Sequence, residues 1–522
     1  MSASQEKKVR KQLREEGLDK NQIAQQKAEK ALKRKHRNTS IFVTIVAVII
    51  VGLITWSSNL FYTNFTALKV GDQSYTAAEY NFFYKTTYNN FVNQYGSYLQ
   101  YVGLDTEKPL DSQKYSDTQT WEDYFKESAQ NTMKELTALY GEAQKAGFKL
   151  SETDQASLDS SLENLKTSNT GSDYSNADAY LASVYGKGSS VKEISGLITK
   201  YYISQAYAKQ MNDSFTYTSD DLKKYYTENK DNLDQYTYIS YLVDGSVPDT
   251  STADAPPSAS PDAATVTPSV SPDTTALKEA AMANAKKIAD AIVADATTPD
   301  SFKKAVLAET TKEASEATTQ GSSLAAAFAD WLKDASRTEG DTTVVATDTG
   351  YYALYYISRD DNNYKTVNVR HLLIKAVADE TGAYTDEAKA TAKTKAEALL
   401  KEWKAGAKTE DSFATLANAN SEDTGSNTNG GLYENVYKNQ MVPEFNDWCY
   451  TAGRKPGDTG IVYGETSGYS GYHVIYYVNG EGKPYCDTLS ETALREKDYS
   501  SWKDSVLASY EISTGFTAAL VK

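Results

Sequence analysis

The strongest constraint in this 522-residue sequence is that part of it occurs twice. FADWLKDASRTEGD at 328–341 lines up with FNDWCYTAGRKPGD at 445–458, with seven identities in fourteen places. Further matches keep the same order: Asp300 to Phe302 with Asp411 to Phe413, Asp348 to Ile357 with Tyr469 to Val478, and Tyr238 to Val243 with Val369 to Ile374. A repeat of this length means one supersecondary unit built twice, each copy closing its own core. The copies run from about Tyr236 to Arg359 and from about Val367 to Tyr485, so any fold for this chain must contain both.

Within each copy the pattern reads strand, long helix, shorter helices, strand, which is an α+β architecture. Thr385 to Ala405 has helix-forming composition with Ala and Leu on recurring faces, Asp411 to Ala419 predicts a second helix and Val442 to Tyr450 a third. Gly425 to Gly431 is a loop, and Gly471 to Val478 alternates Tyr with aliphatic residues as a closing strand. Val247 to Thr275 holds six of the chain's 11 prolines and almost no large apolar residue. Such a stretch cannot bury a core and predicts a disordered loop. The repeat puts this 247–275 insert inside the first copy, between its strand and its long helix, rather than at a domain boundary.

Charge divides the chain in a second way. Residues 1–40 carry 12 Lys+Arg against five Asp+Glu, a net +7, which leaves −23 for the remainder of a total of −16. No charged residue stands between Arg37 and Lys69. As a helix, Ile41 to Tyr62 is long enough to cross a bilayer core of ~30 Å at ~1.5 Å per residue. The basic segment ahead of it is longer than the n-region of a cleaved signal peptide, so an uncleaved anchor is expected. The excess of Lys and Arg orients 1–40 into the cytoplasm and everything after 62 to the outside. The bilayer is thus the partner the N-terminus predicts, while the acidic remainder argues against nucleic acid. Cys449 and Cys486 fit either a disulfide or two separate thiols. The histidines number three, His36, His371 and His473, and His36 merely flanks the expected span.

Between span and repeats, 64–235 reads as helical, with predicted helices at Glu79 to Gln94, Thr120 to Ala146, Glu152 to Ser168, Val191 to Asn212 and Ser219 to Asn229. Leu494 to Tyr510 predicts a last helix, with a strand after it. The 40 tyrosines serve packing and peptide-binding surfaces equally well.

Five motifs of the second copy, VRHLLIK at 369–375, FATLAN with SED at 413–423, NGGL at 429–432, QMVPEF at 440–445 and SGYHVI at 470–475, resemble the parvulin-type peptidyl-prolyl isomerases. The resemblance covers essentially the whole copy. It implies a domain over 366–486 with a four-stranded antiparallel sheet wrapped by helices and a prolyl groove on one face. Carried over position by position, it implies His371 and His473 as paired histidines on neighbouring strands, Asp423 at a position held by Cys or Asp, and Ser470 as the hydroxyl before the second histidine. It also implies Leu432, Met441 and Phe445 as the apolar proline pocket, with Gln440 at its edge. Neither cofactor nor metal is implied. The first copy, 236–360, has Ser240 and Tyr352 at the histidine positions and no clear counterpart of Asp423, so it is expected to keep the fold without the chemistry, as a spacer or a peptide-binding surface. Ala67 to Tyr80 looks like the opening of SurA- and PrsA-like chaperone domains. That resemblance implies that 487–522 packs back to complete 64–235.

Other chemistries fit less well. A hydrolase triad of Ser470, His473 and Asp423 lacks the GxSxG context, since 468–472 reads GYSGY. A metal site from the two strand histidines and Asp423 has no fourth ligand at metal spacing. Lys375 is followed by AVADE, not by the basic cluster of phosphate-directed parvulins, which disfavours a phosphopeptide. The expectation is a membrane-anchored extracytoplasmic foldase that isomerises X–Pro bonds in unfolded or newly secreted polypeptides, with chaperone activity. The alternative is a non-catalytic peptide-binding chaperone or scaffold built on inactive folds.

Overall fold

The computed structural model describes residues 3–15, 17, 20–57, 59–168, 174–246 and 274–522, and the side chains of 9, 12–14, 20, 23, 50–57 and 274 lie outside that set. The chain divides into two units, Met1–Phe215 with Lys497–Lys522, and Thr216–Glu496.

In the first unit, Thr66–Val70 (β1) and Gln73–Thr76 (β2) form a hairpin. Ile512–Thr514, from the other end of the chain, pairs antiparallel with β1, Leu68 opposite Thr514 and Val70 opposite Ile512. Helices Ala77–Tyr95 and Trp121–Lys145 each begin at a capping box, Thr76 with Glu79 and Thr120 with Asp123. Reciprocal bonds of this kind satisfy N–H groups that the helix itself leaves open. The two helices bury Tyr80, Tyr84, Trp121, Phe125 and Met133 against Leu68 and Val70 of β1. Ser219–Leu233, read from the sequence as part of this helical region, belongs instead to the second unit. Its C-terminal end runs directly into the next strand and is fixed there: Arg359 bonds Asp231 and Asp234, both at 2.6 Å, and Asn362 Nδ2 donates to the Leu233 carbonyl at 3.0 Å.

Among the described residues, no helix is long and apolar enough to cross a membrane. The expected span, 41–62, falls partly outside them, because the side chains of 50–57 and residue 58 are not described. One helix, Lys20–Ser57, runs without interruption from the basic segment into the apolar one.

The second unit contains both copies. Gln235–Asp244 (β3), Glu316–Gln320 (β4), Thr342–Ala346 (β5) and Gly350–Asp360 (β6) form one antiparallel sheet in the order β4-β3-β6-β5. Val367–Lys375 (β7), Leu432–Val436 (β8), Thr459–Thr466 (β9) and Tyr469–Asn479 (β10) form another in the equivalent order β8-β7-β10-β9. The central registers correspond residue for residue. Ser240 faces Leu354 and Leu242 faces Tyr352 in the first copy, as His371 faces Ile475 and Leu373 faces His473 in the second. Residues 247–273 of the Pro-rich stretch lie outside the described residues; β3 ends at Asp244 and helix Thr274–Ala294 follows.

Two-residue alternation gives the second sheet unlike faces. Leu372, Ile374, Val474 and Tyr476 pack with Trp403 and Phe413 beneath helices Asp386–Ala405 and Glu410–Asn420. The opposite face carries Val369, Ile475 and Tyr477 with Phe445 and Cys449 of the short helix Pro443–Cys449. Both cysteines are free and buried, and burial pushes the Cys449 thiol up to about 12.

Candidate active site

His371 on β7 and His473 on β10 stand on that second face, 4% and 6% exposed. Their Nδ1 atoms are 3.2 Å apart and their rings 5.3 Å apart. A contact between two imidazole nitrogens needs one proton between them, so the rings act as a unit. Phe445 lies edge-on to both, with ring centroids 5.5 Å from His371 and 5.4 Å from His473 and planes nearly perpendicular. Burial, and then the neighbouring His371, pull His473 down to about 3 against the opposing pull of Asp423. His473 is therefore an uncharged imidazole at neutral pH.

Asp423 follows helix Glu410–Asn420 in a segment tied along β7: Glu422 N donates to the Leu373 carbonyl at 2.9 Å, and Leu373 N donates to Ser421 Oγ at 3.1 Å. The carboxylate meets His371 Nε2 at 3.0 Å and accepts from Tyr433 Oη at 3.0 Å and from the Ser426 hydroxyl, all on Oδ2. Its Oδ1 accepts from Gly425 N at 3.2 Å. The His371 bond, helped by Ser426, holds the Asp423 carboxyl well below the usual carboxylate range despite partial burial. Among the described residues no group of three or more His, Cys, Asp or Glu side chains is placed to hold a metal ion.

The structure brings together His371, His473, Asp423 and Phe445, and Met441 packs half-buried on the Phe445 cluster. Gln440 is exposed at the turn before Met441, where its Oε1 accepts from Tyr437 N at 3.0 Å. Two expected residues are elsewhere. Ser470 precedes His473 by three positions on one strand, so alternation turns it to the helix-covered face, fully buried, with its hydroxyl 2.8 Å from Tyr463 Oη. Leu432 pairs with Arg370 and so shares that residue's face rather than His371's. Its neighbour Tyr433 pairs with Val369 and puts its ring 5.1 Å from His371. Tyr433, Ser426 and Tyr469 are therefore the site residues that the sequence reading missed. Alternation could have found Tyr469, four positions before His473 on the same strand. Ser426 lies in a loop, where no periodic signal exists.

In the first copy the corresponding face is filled by rings. Phe328, which aligns with Phe445, packs edge-on against Tyr352 at 5.1 Å and Tyr238 at 5.6 Å.

Residues 352–479 match the family described as the PPIC-type PPIASE domain. With the strand registers and the histidine pair, this match makes the class plain: the chain carries a parvulin-type peptidyl-prolyl isomerase domain. Two solved structures are similar in part. The peptidylprolyl isomerase PrsA from Bacillus anthracis is 23% identical with a TM-score of 0.18, the likeness covering 28% of this chain and 59% of that one. The peptidylprolyl isomerase PrsA from Bacillus cereus is 16% identical with a TM-score of 0.19, covering 61% of this chain and 85% of that one. No curated protein matches the sequence.

Proposed function

We propose that this protein accelerates cis–trans isomerisation of X–Pro bonds in unfolded or newly secreted polypeptides, working outside the membrane from a single N-terminal anchor. The observation that carries the enzymatic part is the buried imidazole pair beside Phe445, held at one end by an ionised Asp423. Rotation about a peptide bond faces a barrier of ~18–20 kcal/mol, and uncatalysed X–Pro isomerisation takes on the order of tens to hundreds of seconds. The twisted transition state has lost amide resonance and is less dipolar than the planar ground state. A socket of Phe445, Met441 and the Tyr433 ring favours that twisted imide. The neutral imidazoles and the fixed carboxylate set the polarity beside it. No covalent step is needed, and a carboxylate with three donors on one oxygen is a poor nucleophile toward an amide.

The anchor is supported by two features. Ile41, Phe42, Val43, Ile45, Val48 and Ile49 are each more than half exposed, so apolar side chains surround the helix on every side. The adjoining basic segment carries the charge that orients a span. Carbonate extraction of membranes tests it: the chain stays with the pellet if 41–62 spans the bilayer, and its release would refute the anchor.

A second reading, a non-catalytic peptide holder, is favoured by the ring-filled face of the first copy. An Ala–Pro peptide assay separates the two. Acceleration that disappears in Asp423→Ala and His473→Ala supports the isomerase; no acceleration by the wild-type chain supports the holder.

A further inference from the structure

Tyr469 and His473 lie four residues apart on β10, hence on one face. Tyr469 Oη is 2.9 Å from His473 Nε2, with the rings steeply tilted and 5.7 Å apart. The adjacent strand β9 leaves room for this contact at Gly464, where a Cβ would stand 2.9 Å from Nε2 and 3.0 Å from Val442 Cγ2. The groups that face His473 are thus His371 from β7 with Asp423 behind it, Tyr469 from its own strand, and the apolar Phe445, Val442 and Val462, the last directly opposite it on β9. The parvulin reading assigns no part to Tyr469.

We propose that Tyr469 is a positioning residue that closes the far end of a one-way row of hydrogen bonds, donating its hydroxyl to Nε2 of His473 and so keeping that ring's own proton on Nδ1. His473 Nδ1–H then donates to His371 Nδ1, and His371 Nε2–H donates to Asp423. The reverse order puts a bare Nε2 lone pair of His371 against the carboxylate oxygen that Ser426 and Tyr433 already mark as an acceptor. Lone pair against anion is repulsive, so one direction remains. Without the phenol, the buried Nε2 of His473 has no donor, and an unmet buried acceptor favours ring rotation or proton uptake.

The chain has three histidines, and His36 is exposed, so full-length protein labelled with nitrogen-15 only in histidine gives a readable set of ring signals. The expected wild-type spectrum shows His473 protonated at Nδ1 with a hydrogen-bonded, bare Nε2, and His371 protonated at Nε2. In Tyr469→Phe, the His473 Nε2 signal moves toward that of an unbonded nitrogen. On the isomerase reading, on which this second part rests, kcat/KM falls about fivefold, the factor for one neutral hydrogen bond. A wild-type His473 with its proton on Nε2 overturns the proposal, as does an unchanged Nε2 signal in the variant. If the variant does not fold, the wild-type spectrum alone decides. Ring signals do not depend on turnover, so the predicted protons in a protein without isomerase activity would refute the isomerase reading and leave the proton order standing.

Discussion

Asp423 Oδ2 receives His371, Ser426 and Tyr433 together, a role that an uncharged amide of the same shape cannot fill, since half of the amide is itself a donor. Asp423→Asn is therefore expected to lower kcat/KM in an Ala–Pro assay by roughly 10- to 100-fold, the range for a hydrogen bond to a charged group. Acidity acts on the same row. The folded protein holds His473 at about 3, below its ordinary 6.5, so the unfolded chain binds that proton more tightly. The resulting stabilisation is complete above pH 6.5 and is lost as pH falls toward about 3. Asp423, also depressed, contributes stability that is present above the ordinary carboxyl range and lost below it, so both act in the acid direction. Amide-exchange protection of β7 and β10 should fall as pH drops below 6.5, and fall less steeply in His473→Gln.

At the scale of strands and turns, alternation decides what the sequence could disclose. The repeat, the central strands and the histidine pair were legible because each leaves a periodic or rare signal: two of three histidines sit at matching strand positions. Ser470 and Leu432 were misplaced because a motif match does not say which face a strand residue takes, and a shift of one position reverses it. Tyr433 was hidden among 40 tyrosines. The turn into β8 is set more narrowly than its composition suggests. Gly430 and Gly431 have φ of +76° and +70°, and a Cβ on Gly431 would lie 2.0 Å from the His371 carbonyl oxygen. The Gly431 carbonyl in turn accepts from His371 N at 2.8 Å. Gly431→Ala combines left-handed strain with that clash. Its thermal transition should come lower than wild type by several degrees, with the His371 amide losing protection; an unchanged transition would show that the turn relaxes freely.

At the scale of the whole molecule, each unit rests on its own core. Val521 is fully buried among the residues around Leu68 and Trp121 in the first unit, far along the chain from the groove. Val521→Asp places an unpaired carboxyl there at a cost on the order of 3–5 kcal/mol. Limited proteolysis should then cut the first unit earlier than in wild type. The duplication also sets the central comparison, because the two copies share strand order and register but differ at the histidine positions. The most direct test is exchange spectroscopy on an X–Pro peptide with the full-length chain, beside Asp423→Ala and His473→Ala in the second copy and Tyr352→Phe in the first. The prediction is cis–trans exchange accelerated by wild type and by Tyr352→Phe and lost in the two second-copy variants; acceleration that survives both of those substitutions, or fails only in Tyr352→Phe, would contradict it.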